Sequence, residues 1–137
     1  MMFMNSVLRE LPYLENWRWL SRRIRCALEP DEPRLIEHYL AEGRYLVCCT
    51  ETSPWTVALT SFRLLLDTAC DRMLPWHWHW HWRCLCLDQA WRPLLDLRNL
   101  DRQAQNQRWQ PYAIQLANCS LLPSISPDEL MQGFDDE

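Results

Sequence analysis

The sequence predicts an all-α protein: a compact bundle of four to five helices in a single domain. Three observations predict it. Apolar residues recur at three- and four-residue steps along almost the whole chain, the mark of one buried stripe per helix. Only Gly43 and Gly133 are glycine among 137 residues, which removes the residue on which tight β-hairpins and phosphate-cradling loops depend. The breaks between periodic stretches are short and carry Pro, Ser and Asp, which start helices and turns. The chain is long enough for one domain with a real core and short for two. The helical domain is expected over residues 1–125, with residues 126–137 a short C-terminal turn and acidic tail.

In the first helix Leu14, Trp17, Leu20, Ile24 and Leu28 form one stripe, while Glu15, Arg18, Arg22, Arg25 and Glu29 line another face. Glu29-Pro30-Asp31-Glu32-Pro33 breaks this pattern and places Asp31 or Pro33 to open a second helix. That helix is expected to bury Leu35, Ile36, Tyr39, Leu40, Leu46 and Val47, with Gly43 on the same face. A glycine inside a helix costs up to ~1 kcal/mol against alanine, so Gly43 predicts a close approach of a neighbouring helix. Ser53-Pro54 reads as an N-cap followed by proline at the first helical position. The third helix follows with Leu59, Phe62, Leu66, Ala69 and Met73, antiparallel to the second because the link is so short. Pro75 opens a fourth helix expected to continue through Leu87, Trp91 and Leu94, bent or broken near Pro93. Asp101 to Asn118 reads as a fifth, more polar helix interrupted by Pro111, and Ser126-Pro127-Asp128-Glu129 as a capping box.

Charge and composition narrow the function classes. The net charge of −4 is a poor match for general nucleic-acid binding, which depends on neutralising phosphates. Every basic residue is arginine, so Schiff-base and phosphate-loop lysine chemistry is excluded. No apolar run approaches the ~18 residues of a membrane span, and the N-terminal stretch lacks the continuous apolar core of a secretory signal. The expectation is a cytoplasmic protein with its seven cysteines mostly reduced. No spacing points to an enzyme, and no pair of carboxylates stands out as acid and base.

Trp76-His77-Trp78-His79-Trp80-His81-Trp82-Arg83-Cys84-Leu85-Cys86 is the most distinctive segment. On a helix, Trp76, Trp80, Leu87, Trp91 and Leu94 share one face. His77, His81, Cys84 and Asp88 share an adjoining stripe, and His79 and Cys86 point the opposite way. A His pair at i and i+4 is how one helix offers two nitrogens to one ion, and Cys84 or Asp88 would add a third ligand. Imidazole with thiolate suits zinc, copper or iron, haem iron included. Read as a strand, the three His would share one face and the four Trp the other. The competing account is that tandem His-Trp units arose by slippage of a six-base repeat, and that tryptophans at helical spacing serve a core or interface.

Other candidates are weaker. Cys84-Leu85-Cys86 and the vicinal Cys48-Cys49 would be redox-active only if a helix N-terminus or an arginine lowered a thiol pKa. Otherwise they are small apolar residues. A nucleophilic cysteine paired with His38 has no local support. Arg18, Arg22 and Arg25 form a basic stripe that faces an acidic partner or simply solvent. Arginine beside exposed tryptophan is the composition of protein–protein hot spots, so Trp76, Trp78 and Trp82 with that stripe are the candidate interaction residues for a protein partner.

Several blocks carry a resemblance. They are Glu15-Asn16-Trp17-Arg18-Trp19-Leu20, Ile24-Arg25-Cys26-Ala27-Leu28, Arg34-Leu35-Ile36-Glu37-His38-Tyr39-Leu40-Ala41-Glu42-Gly43-Arg44-Tyr45, Cys86-Leu87-Asp88-Gln89-Ala90-Trp91-Arg92-Pro93-Leu94 and Asp128-Glu129-Leu130-Met131-Gln132-Gly133. Together they resemble the small bacterial FagA proteins, named for a gene associated with the ferric uptake regulator. The resemblance spans most of the chain. It implies a setting of iron limitation, beside an iron-free fumarase and a manganese superoxide dismutase, and it brings no catalytic residues with it. The His-Trp repeat is longer than that pattern, which favours slippage. The expected function is therefore a non-enzymatic interaction module of iron-limitation or oxidative-stress adaptation. The alternative is metal or haem sensing through His77, His81, Cys84 and Asp88.

Overall fold

The third helix is the hub. In a computed structural model, the described residues (2–74 and 76–119, with side chains from 12–74 and 79–119) form six helices. These are α1 (Met2–Arg25), α2 (Arg34–Cys49), α3 (Pro54–Ala69), α4 (Trp76–Gln89), α5 (Trp91–Ala104) and α6 (Gln110–Ala117). Helix α3 packs against α1, α2, α4 and α5, and it buries Val57, Ala58, Ser61, Phe62, Leu65, Leu66, Thr68 and Ala69 on more than one side. A helix that is apolar around most of its circumference belongs inside a bundle. The result is an all-α single domain. The expected C-terminal turn and its capping box at Ser126 lie outside the described residues.

The local signals explain where helices start. Ser53 caps α3, its hydroxyl accepting from the Thr56 amide at 3.5 Å, and Pro54 fills the first turn where no N–H is needed. Helix α2 opens after Pro33. Gly43 does permit a close approach: a Cβ built there would stand 3.0 Å from Val57 Cγ1 on α3 and 3.2 Å from Trp17 Nε1 on α1. Trp17 stacks on Tyr39 with ring centroids 5.2 Å apart, so α1, α2 and α3 meet at one layer.

Two boundaries differ from the sequence reading. The expected break near Pro93 is present, but it separates two helices rather than bending one that runs on to Leu94. The fourth helix stops at Gln89, and α5 begins at Trp91 after a junction at Ala90, which is fully buried. Pro93 has no N–H to offer the Gln89 carbonyl, so the break falls one turn before the ring, and Pro93 sits harmlessly in the first turn of α5. Likewise Asp101–Asn118 is not one interrupted helix. Helix α5 ends at Ala104, Gln105 takes a left-handed conformation (φ 56°), and Pro111 opens α6 rather than breaking it. The buried Asp101 carboxylate holds this corner, accepting from the Trp109 amide at 2.6 Å and from Arg108 Nε at 3.3 Å.

Candidate functional site

The Trp/His run is helical, and its inner face is spent on the ends of other helices. Helix α1 finishes in a Schellman turn. The Leu28 amide reaches back to the Arg23 carbonyl at 3.1 Å and the Ala27 amide to Ile24 at 3.0 Å, with Ala27 left-handed at φ 49°. A carbonyl oxygen can accept twice, so these end carbonyls, Ile24 included, can take a further donor. Trp82 Nε1 donates to the Ile24 carbonyl at 3.0 Å, and His79 Nε2 donates to the Ala27 carbonyl at 3.2 Å. Arg83 Nε donates to the Ala69 carbonyl at 2.8 Å, bringing a positive charge to the negative end of α3. Its guanidinium also lies 5.4 Å from the centre of the Trp80 ring. Hydrogen bonds of this kind contribute roughly 1–3 kcal/mol, most where the donor is charged.

Trp82 is therefore not an exposed interaction residue; it is fully buried. The reason is that the indole covers core area with its rings while its N–H satisfies a helix end. The buried face of α4 is Trp82, Arg83, Cys86 and, at the junction, Ala90, with His79 half-buried on the same side. The side chains of Trp76, His77 and Trp78 lie outside the described residues.

His81, Cys84 and Asp88 fall on the outer side: His81 and Asp88 are exposed and Cys84 is half-buried. His77 stands one turn before His81 on the α4 backbone. Among the described residues no three His, Cys, Asp or Glu side chains come together as a metal site would require. Nor does the Cys84/Cys86 pair carry an activated thiol. Burial, then the Asp88 charge, raises the Cys84 pKa, and burial pushes Cys86 up to about 12. Cys48 and Cys49 are exposed on α2.

The arginine stripe is split. Arg18 and Arg22 are exposed, while Arg25 Nη1 pairs with Asp71 Oδ2 at 2.7 Å. That pair holds the Asp71 carboxyl below its usual range against the opposing effect of its burial.

Two arrangements escaped the sequence reading. One is a groove of about 490 Å³ between α2, α3 and α5. Gly43, Val47, Val57 and Ala58 contribute to its apolar lining, and Trp91, Pro93 and Leu95 form an apolar wall on α5. Trp91 and Leu95 are 54% and 41% exposed, high for such large apolar side chains. Arg44, Arg92 and Asp96 supply its charge. Burial raises the Asp96 pKa, opposed by the Arg44 and Arg92 charges. Arg92 also pairs with Glu37 at 2.5 Å. The second arrangement is a thiol pair, Cys70 Sγ and Cys119 Sγ, 3.3 Å apart. No signal short of the folded chain joins residues this distant in sequence.

No protein-family model, curated protein or solved structure matches the chain. Among the described residues no helix is long and apolar enough to cross a membrane.

Proposed function

We propose that this chain is a non-enzymatic interaction module whose groove between α2, α3 and α5 receives an amphipathic helix from a protein partner. The reading rests on the pairing of an open apolar floor with a half-exposed tryptophan, Trp91, at its wall. Helix-in-groove recognition needs such a floor for the i, i+3, i+4 anchors of the incoming helix. Tryptophan and arginine are the residues that most often carry binding energy at interfaces. Charge narrows the occupant: Arg92 is committed to Glu37 at 2.5 Å, so Arg44, exposed at the groove, is the cation offered to a partner. The partner helix should carry a carboxylate beside its apolar stripe. Exposed Arg18 and Arg22 on α1 would add a second acidic contact outside the groove. The resemblance to FagA proteins supplies the setting, a cytoplasmic protein produced when iron is scarce.

The test is a photo-crosslinking residue placed at Leu95, with the exposed Ile114 on α6 as the control position. In iron-limited cells the groove position should give one discrete protein adduct. That adduct should disappear when Arg44→Glu is introduced. Equal labelling from both positions, or an adduct indifferent to the charge reversal, would sink the proposal.

A further inference from the structure

We propose that Cys70 and Cys119 form a reversible disulfide that fastens α6 to the end of α3. Both thiols sit just beyond helix C-termini, Cys70 after α3 and Cys119 after α6. Their sulfurs are 3.3 Å apart, about 1.3 Å more than a disulfide bond. Cys70 is exposed and Cys119 half-buried, so a small reagent can reach them. Cys86, by contrast, is fully enclosed.

What the bond would control follows from how weakly α6 is held. This helix buries none of its residues. It rests on the Tyr112 ring set edge-on to Phe62 at 5.9 Å, on Leu116 and Cys119 packed half-buried against the core, on the Arg63 guanidinium donating to the Tyr112 hydroxyl at 3.4 Å, and on the Asp101 corner. Elements with so little burial open locally at low free energy. A covalent link at the far end of α6 would remove that freedom and fix the point from which residues 120–137 continue.

The reaction needs a small dialkyl disulfide as oxidant. One protein thiolate attacks it, forming a mixed disulfide and expelling one small thiolate. The second protein thiol, deprotonated, then attacks the protein sulfur of that mixed bond and expels the other. Two protein S–H bonds and one small S–S bond are lost. One protein S–S bond and two small thiols are formed, and the two electrons leave the protein for the small disulfide. Burial, and then the adjoining Cys119 thiol, push Cys70 up to about 11. Cys70 is thus largely uncharged at neutral pH, so the reduced pair persists until oxidant is supplied and closes faster as pH rises.

The full chain should be equilibrated with mixtures of oxidised and reduced glutathione at pH 8, acid-quenched, and digested without reduction. Mass spectrometry should find a peptide pair joining Cys70 to Cys119, absent from Cys119→Ser and retained in Cys84→Ser. Amide exchange across 110–117 should slow about tenfold or more on oxidation and recover on reduction. Three outcomes would overturn the proposal: Cys70 bonded to a different cysteine, Cys70 bonded only to glutathione, or the expected link with exchange in α6 unchanged. The first readout uses the unaltered protein and does not depend on any variant folding.

Discussion

The inner face of α4 and the groove beside α5 are built from the same residue types and come out opposite. On α4, Trp82 and Arg83 are fully buried and each donates to the end of another helix. On α5, Trp91 is half exposed and Arg92 reaches across to Glu37 and Gln89 side chains at the rim. Tryptophan and arginine are therefore ambiguous letters. What separates the two regions is what the polar tips reach. On α4 they reach carbonyls at the ends of other helices, and the region closes. On α5 Arg92 reaches side chains at the rim, and Trp91 is left half exposed to meet something else.

The largest effect should come from breaking the closed region. Trp82→Ala removes a fully buried side chain and the donor to Ile24. Destabilisation of about 3–5 kcal/mol is expected from cavity formation alone. Chemical denaturation checks it, and a loss below about 1.5 kcal/mol would mean that α4 does not seal the core.

Alkaline pH probes the same face without mutation. Burial pushes the Cys86 thiol from an ordinary 9.0 up to about 12. A raised pKa means the unfolded chain gives up its proton first. The Cys86 contribution is intact below about pH 9 and is lost progressively as pH rises to about 12. Three units correspond to about 4 kcal/mol at that limit. Burial raises the Tyr39 hydroxyl in the same sense, opposed by its hydrogen bond with Ser61. Unfolding midpoints followed from pH 8 to 11 should fall steeply, and less steeply in Cys86→Ala. Parallel curves would refute the assignment.

How legible this was depends on the region. Helix α3 could be read from Ser53-Pro54 and its apolar spacing, and Gly43 announced its close contact, because those signals are local. The buried face of α4 could not. Tryptophan at every second position from Trp76 to Trp82 steps by 200°, which puts Trp76 and Trp80 on one side and Trp78 and Trp82 on the opposite side, so aromatic spacing does not say which side is inside. The choice is made by the carbonyls of Ile24, Ala27 and Ala69, more than fifty residues away for α1. The groove was hidden for a similar reason: its lining comes from three helices, and Trp91 changes neighbours once Pro93 forces the break before it.

A smaller contrast isolates the role of the indole N–H. Trp82 Nε1 has a partner, whereas Trp17 Nε1 is buried with none among the described residues. Phenylalanine at either site loses similar volume. At position 82 it also loses a hydrogen bond, and at position 17 it removes an unsatisfied donor. Trp82→Phe should therefore cost about 1–2 kcal/mol more than Trp17→Phe. Equal costs would mean that packing alone, and not the helix end, holds Trp82.

The smallest change in stability carries the most information about function. Trp91→Ala truncates a half-exposed side chain at the wall of the groove. Away from buried features such substitutions shift stability by only about 0.5 kcal/mol. The isolated protein should therefore unfold almost as the parent does, in contrast with Trp82→Ala. Its effect should appear instead in the crosslinking at Leu95, where loss of an aromatic anchor typically costs an interface about 2 kcal/mol or more, a fall in affinity of some thirtyfold. A Trp91→Ala protein as stable as the parent and as readily crosslinked would show that the groove is an accident of packing around Pro93. A protein equally stable but no longer crosslinked would mean that one tryptophan was kept outside the core to be used.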